Sequence, residues 1–472
     1  MSILTSKTAE SAKPSLQRRA PSPPAHFILG HMHGMRGNAA NYMMSLYREY
    51  GDVVRLRFGP LRAHVFFHPD HVQHILVRNV ENFSKDVRGY HKIRALTGLG
   101  MLTGDGDLWR RQRKLAQPAF MARRVLVFGD LIGECARDLA AKWSASADNG
   151  QVVDISSDMM HLTLRVICRT MLGTDIENDV SEIGDAITVC LEDILFRIQH
   201  ATEFTDMIPT PRVRRFRKAL AVLDSKMKKI IDDRRAEHAR GERDLANQDL
   251  LDAFLLARDE QTGEGMPEKQ LLDEVKTIFL AGHETTANMM SWTWYLLSKH
   301  PEVARKLHEE LDTVLGDQPP TAADLPRLSY TRMVLQESMR LRPPVWATER
   351  RAVNDDVIGG YPIPKGEFIL VCQYVTHRHA DFWENPDGFD PDRFADERQE
   401  AMHKLQYFPF GAGPRICIGL HFAMLEGVLI LATLAQKYRL DLLPGSDIEP
   451  EPVITLRPKT PIRVTVHSRK SQ

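Results

Sequence analysis

The 472-residue chain is poor in cysteine: five residues (Cys135, Cys168, Cys190, Cys372, Cys417) lie far apart and none forms a CxxC pair. That count excludes a disulfide scaffold and an iron–sulfur cluster, and it favours a reducing compartment, the cytoplasm. No stretch reaches the roughly 18 consecutive apolar residues of a membrane-spanning helix, so no membrane anchor is expected. Residues 1–24 are polar and end in a Pro-rich run, without the apolar segment of a signal peptide, and are read as a disordered tail. No Gly/Ser-rich linker, internal repeat or low-complexity tract divides the remainder, so 25–472 is read as a single domain and a monomer. Lys and Arg number 62 against 62 Asp and Glu, which removes any whole-molecule field that would draw the chain to nucleic acid or anionic lipid. Any charge effect has to be local.

What is present is a helical body between β-rich ends. Residues 53–58 and 63–67, separated by Gly59-Pro60, read as a hairpin. Helical periodicity covers 154–171, 181–198, 211–237 and 267–300. The last, flanked by Pro267 and Pro301, would span roughly 50 Å and cross the whole globule. After Arg342-Pro343-Pro344, short β runs at 348–353 and 367–375 precede a final helix at 420–437. The fold class is mainly α with a smaller β part (α+β).

The chemistry concentrates in the loop Phe410-Gly411-Ala412-Gly413-Pro414-Arg415-Ile416-Cys417-Ile418-Gly419, which runs into the N-terminus of that final helix. A thiol there meets the positive end of the helix dipole and free backbone N–H groups, an environment expected to depress its pKa. Such a sulfur is a ligand or a nucleophile. A phosphatase-type nucleophile would have Arg six positions on, where Ala423 stands, and the context is not that of a papain-type cysteine. The other four cysteines sit in apolar patterns and read as structural.

This loop resembles the haem-binding signature of the cytochrome P450 superfamily, Phe-x-x-Gly-x-x-x-Cys-x-Gly, met by Phe410, Gly413, Cys417 and Gly419. The resemblance implies the cytochrome P450 fold, with haem b (iron protoporphyrin IX) between a long central helix and the Cys-loop helix. It makes Cys417 the axial iron ligand and Arg415 a partner of a haem propionate, with Phe410, Gly411, Gly419 and Ala281 also at the cofactor. A thiolate ligand pushes electron density onto iron and favours O–O cleavage.

Within the long helix, Ala281-Gly282-His283-Glu284-Thr285-Thr286 interrupts an apolar sequence. Gly weakens a helix by about 1 kcal/mol and a Thr hydroxyl can bond a carbonyl one turn earlier, so the helix is expected to open into a groove there. The resemblance assigns Glu284 and Thr285 the roles of organising water and delivering protons during dioxygen activation. It also implies that Glu337, Arg340 and Arg393 form a buried structural network, although a Glu337/Arg340 pair at i and i+3 reads by itself as a surface salt bridge. Asp392 stands where the family's usual acid before the last Arg is Glu. Trp109 and Arg113, one helical turn apart, match the family's propionate-binding pair, and Arg350 matches a further propionate arginine.

The resemblance further implies a monooxygenase that takes electrons from NAD(P)H through a separate ferredoxin or flavodoxin with its reductase. It would use dioxygen to hydroxylate or epoxidise a hydrophobic fatty acid, terpene, steroid or polyketide. Substrate would meet residues 88–102, 199–210, the Ala281 face, 345–348 and 453–456. Arg110, Arg111 and Lys114, with no claim on them from the haem, would form a basic docking patch for the electron donor. A haem-thiolate isomerase or peroxygenase, and a non-enzyme that is a haem-based sensor or a dead scaffold, are the alternatives; Glu284 and Thr285 argue against the first, and no output domain is visible for the second.

Overall fold

Alternating apolar and polar residues near the N-terminus pair as antiparallel strands β1 (Val53–Phe58) and β2 (Leu61–Phe66), with Val53 opposite Phe66 and Phe58 opposite Leu61. Their turn is Gly59-Pro60, and Gly59 takes the left-handed backbone, φ +58°, that glycine adopts without steric cost. The chain is represented by a computed structural model that describes residues 19–173, 180–200, 206, 208–243, 248–259 and 262–469. Three further strands, β3 (Phe83–Ser84), β4 (Thr348–Ala352) and β5 (Phe368–Val371), complete a sheet in the order β1-β2-β5-β4-β3. β2 and β5 run parallel, which a tight turn cannot achieve, so the whole helical body is their crossover.

Two expectations need correction. The run at 367–375 is not one strand: β5 stops at Val371 and Gln373–Thr376 forms a helical turn. There the Thr376 hydroxyl donates to Phe67 O at 2.8 Å, and its N–H donates to Cys372 O at 3.0 Å, so side chain and turn replace the ladder where β2 ends. The tail also does not extend through 19–24. Ala20 is buried, and Pro21 O accepts the Arg55 N–H at 2.8 Å, because the edge strand β1 has backbone donors to satisfy. Residues 1–18 lie outside the described residues.

The principal helices are α1 (Gly106–Ala116), α2 (Gly129–Asn149), α3 (Ile155–Met171), α4 (Val180–Gln199), α5 (Pro211–Arg240), α6 (Glu268–Lys299), α7 (Pro301–Leu315), α8 (Ser329–Leu341) and α9 (Leu420–Lys437). Caps set their starts: Asp154 accepts the Ser156 N–H ahead of α3, and Thr210 accepts that of Val213 ahead of α5. α6 is buried on nearly all sides from Phe279 to Leu297, the pattern of a helix at the centre of a globule, and it packs on α3, α8 and α9. Among the described residues α9 alone is long and apolar enough to cross a membrane, and most of it lies in the core. The fold is mainly α with a smaller β part.

Candidate haem site

The Cys loop is a tight turn. The Cys417 N–H donates to Phe410 O at 2.8 Å, while Gly411 and Gly413 take φ +73° and +66°. A Cβ on Gly413 would lie 2.1 Å from Leu76 O, so only glycine fits there. α9 begins at Leu420 with Gly419 as its N-cap, and the Gly419 N–H faces the Cys417 sulfur. Cys417 keeps exposed surface although protein surrounds it closely, which puts it on an internal cleft rather than on the outer surface. Burial pushes its thiol up, against the Gly419 N–H and Arg113, which both pull it down. The expected depression by the helix end is therefore outweighed, because Cys417 precedes the N-cap and lies in a poorly solvated setting.

On α6, Ala281 keeps exposed surface in the middle of an otherwise buried helix, so it borders open space inside the fold. The Thr285 Oγ1 donates to Ala281 O at 2.6 Å, one turn back. The helix does not open into a groove at this point and is continuous from Glu268 to Lys299. Gly282 serves packing instead: a Cβ there would stand 2.6 Å from Ile167 Cδ1 of α3. His283 fastens the same contact, its carbonyl accepting from Thr163 Oγ1 at 3.1 Å and its Nε2 lying 3.1 Å from Met160 O. Glu284 is buried, which pushes its carboxyl up, and its Oε1 accepts from Thr455 Oγ1 at 2.7 Å; Asn288 in turn donates to Thr455 at 3.1 Å. Sequence reading put Thr455 only in a substrate-contacting turn and missed Asn288, since the bonds of Thr455 to Glu284 and of Asn288 to Thr455 bridge 171 and 167 residues of chain.

The cationic end of the site holds three basic groups, Lys85 and Arg350 buried and Arg415 nearly so. The Arg415 guanidinium lies 3.8 Å above the Trp109 ring, pairs with Asp105 and donates to Gly104 O at 2.8 Å. Arg350 is buried and donates to Glu349 O at 2.7 Å. Lys85, which sequence reading missed because nothing distinguishes a lone lysine in a loop, donates its Nζ to Leu102 O at 2.7 Å. Burial, with Arg350 and Arg415 nearby, holds the Lys85 ammonium well below its usual range. Arg415 is pushed down to about 10 by burial, which Asp105 opposes. Facing these cations are Asp105 and Glu349, and burial pushes the Glu349 carboxyl up to about 7. The cluster is short of negative charge, and a ligand carrying two carboxylates would supply it. Arg113 is placed differently: its guanidinium donates to Ile416 O at 2.9 Å beside Cys417.

Glu337, Arg340 and Arg393 come together away from the cleft. Both Glu337 oxygens clasp Arg340, at 2.6 and 2.7 Å, with neither residue exposed, and Arg393 stands 3.4 Å from Glu337. The pair is a buried network, not a surface bridge. Asp392 does not join it and pairs with Lys306 at 2.7 Å. The basic patch also changes character. Arg110 pairs with Glu81 and Asp107, and Arg111 lies within ion-pair distance of Asp259 and Glu264, acids distant in sequence except for Asp107. Much of the 199–210 region lies outside the described residues.

An accessible cysteine in a glycine-rich loop ahead of a helix, a Thr-bearing central helix and a carboxylate-seeking cationic cluster fit the haem-thiolate class of protein. A sequence profile described as Cytochrome P450 matches residues 20–466, and the chain belongs to that family as a cytochrome P450 monooxygenase with haem as its cofactor. It is 35% identical to the Cyclooctatin synthase of Streptomyces melanosporofaciens, over 95% of this chain and 96% of that one. It is 31% identical to the Pentalenene oxygenase of Streptomyces avermitilis, over 95% and 97%. The solved structure of the cytochrome P450DA heme domain superposes with a TM-score of 0.88 at 28% identity, covering 97% of this chain and 99% of that one.

Proposed function

We propose that this enzyme oxygenates a terpene or terpene alcohol, with Cys417 as the residue that would hold the haem iron and electrons passed from NAD(P)H by a ferredoxin or flavodoxin with its reductase. The observation that carries the site reading is an accessible Cys417 in the loop ahead of α9, beside cations short of counter-charge, with Ala281 exposed on the otherwise buried α6. The substrate class rests on similarity to the Cyclooctatin synthase, to the Pentalenene oxygenase and to the Cyclooctat-9-en-7-ol 5-monooxygenase of Streptomyces melanosporofaciens, at 34% identity over 89% of each chain. When bound, haem supplies dioxygen activation and insertion of one oxygen atom into a C–H or C=C bond.

The protein's own contribution is to hold charge and protons in place. Lys85, Arg350 and Arg415, with Trp109 under the last, bind the two haem carboxylates, and Arg113 steadies the Cys loop through Ile416 O. The Thr285 hydroxyl, with its proton given to Ala281 O, has lone pairs left to accept from a water. Glu284, held toward its protonated form by burial and oriented by Thr455, is the proton store behind it. Thr285→Ala is expected to bind haem and substrate normally while product per NAD(P)H oxidised falls by about ten-fold or more, the electrons appearing as hydrogen peroxide. Unchanged coupling would place the proton path elsewhere.

The function is tested by turnover with a ferredoxin and ferredoxin reductase on a panel of cyclic terpene hydrocarbons, terpene alcohols, fatty acids and steroids. Monooxygenated terpenes are expected. Products from fatty acids or steroids alone would overturn the substrate class.

A further inference from the structure

The chain carries no net charge, yet its acids are unevenly placed. No Asp or Glu occurs from Ser11 to Arg48, nor from Val53 to Pro69. The two segments meet where residues 26–30 fold against the β1–β2 hairpin: His26 and Gly30 bridge each other, Gly30 bridges Phe58, and the Gly59 N–H donates to Leu29 O at 3.4 Å. Here Arg57 and Arg62 stand directly opposite each other across the strands, an arrangement that like charges disfavour. Among the described residues neither of them, nor Arg55, makes an ion pair, whereas Arg110, Arg197, Arg212 and Arg234 all do. Arg57 instead donates to the carbonyls of His26 and Phe27, at 2.7 and 2.9 Å, and so fixes the turn.

That turn holds out apolar side chains. Phe27 is 77% exposed, Ile28 60% and Leu61, at the hairpin tip, 56%. Single exposed apolar residues are ordinary, but three of them at one end of a hairpin, beside arginines without carboxylate partners, are not. An exposed apolar tip of this kind does not call for a shaped pocket on its partner. A lipid bilayer suits it, since apolar tips enter the acyl boundary while arginines stay level with anionic headgroups. We propose that the 26–30 turn and the β1–β2 hairpin tip dock this protein peripherally on an anionic lipid bilayer, without spanning it. If the terpene reading holds, that surface is also where an apolar substrate accumulates, but the docking itself does not depend on that reading.

The test is co-sedimentation of the full-length holoprotein, without substrate, with vesicles of phosphatidylcholine alone and with vesicles that also contain phosphatidylglycerol. Binding is expected to be at least about ten-fold stronger to the anionic vesicles and to weaken as salt shortens the Debye length from about 10 Å toward 3 Å. Phe27→Ser with Ile28→Ser, and separately Arg62→Glu, should each reduce it by about five-fold or more. Arg57 is left intact because it props the turn. All three exposed positions should leave the unfolding midpoint and the haem spectrum at wild-type values. Equal binding to both kinds of vesicle, no binding, or anionic binding that survives both variants would overturn the proposal. So would loss of affinity for an acidic ferredoxin in Arg62→Glu without any vesicle binding, which would make the face a protein-docking site. Turnover is read in a separate assay, so failure here is distinguishable from failure of the monooxygenase reading.

Discussion

Glu337→Ala is expected to give protein that expresses poorly, unfolds at markedly lower temperature and retains little haem. The Glu337 carboxylate clasps Arg340 with both oxygens and accepts the Asp390 N–H at 2.9 Å, and Arg340 spends its remaining donors on the carbonyls of His377, Pro386 and Gly388. Removing the acid leaves a fully buried guanidinium without its counter-charge. The cost of such an orphan is about 3–5 kcal/mol, against a total stability on the order of 5–15 kcal/mol. The residues it ties together, from α8 to the turn before Arg393, lie next to Tyr407, whose hydroxyl donates to Gln336 O at 3.0 Å, just ahead of the Cys loop. Loss of the network should therefore loosen the loop as well as the fold. Glu337→Gln keeps the acceptor oxygen but not the charge and should fall between. Thermal unfolding and haem content measure both variants; a midpoint within about 1 °C of wild type in Glu337→Ala would refute a structural role for the pair.

Cys417→His is expected to abolish the strongly red-shifted Soret band that the reduced carbon monoxide complex of a thiolate-ligated haem shows, and monooxygenation with it. Cys417 is exposed, whereas Cys135, Cys168, Cys190 and Cys372 are buried. Those four side chains are packed in the core, out of reach of a haem. Imidazole still ligates iron, so haem content should persist while the spectral signature is lost. Persistence of the red-shifted band in Cys417→His would show that another cysteine is the ligand.

Most local features were legible in advance because they depend on neighbours in sequence. Gly and Pro punctuation located the hairpin turn and the Cys loop. Helical periodicity, with the flanking prolines of α6, placed α3 to α6 within a few residues of their ends. The Thr285 back-bond to Ala281 is an i to i−4 contact that helical geometry alone provides. The misreadings were of features that distant segments decide. Gly282 read as a weak point in α6 and proved to be where α3 approaches, since Ile167 lies 115 positions earlier in the chain. Arg110 and Arg111 read as a docking patch, but Glu81, Asp259 and Glu264 neutralise them from remote loops.

By itself, then, the sequence determined the kind of chemistry, because the Cys loop and the acid–alcohol pair are contiguous strings whose residue types carry the function. Only the tertiary structure decided the electrostatics. Whether Glu337 and Arg340 face solvent or each other in the core, whether Lys85 joins Arg350 and Arg415, and whether the Cys417 thiol is pulled down by a helix end or pushed up by burial all depend on how much water the fold removes. They depend equally on which charges it brings within a few ångströms, and neither quantity is encoded in local spacing.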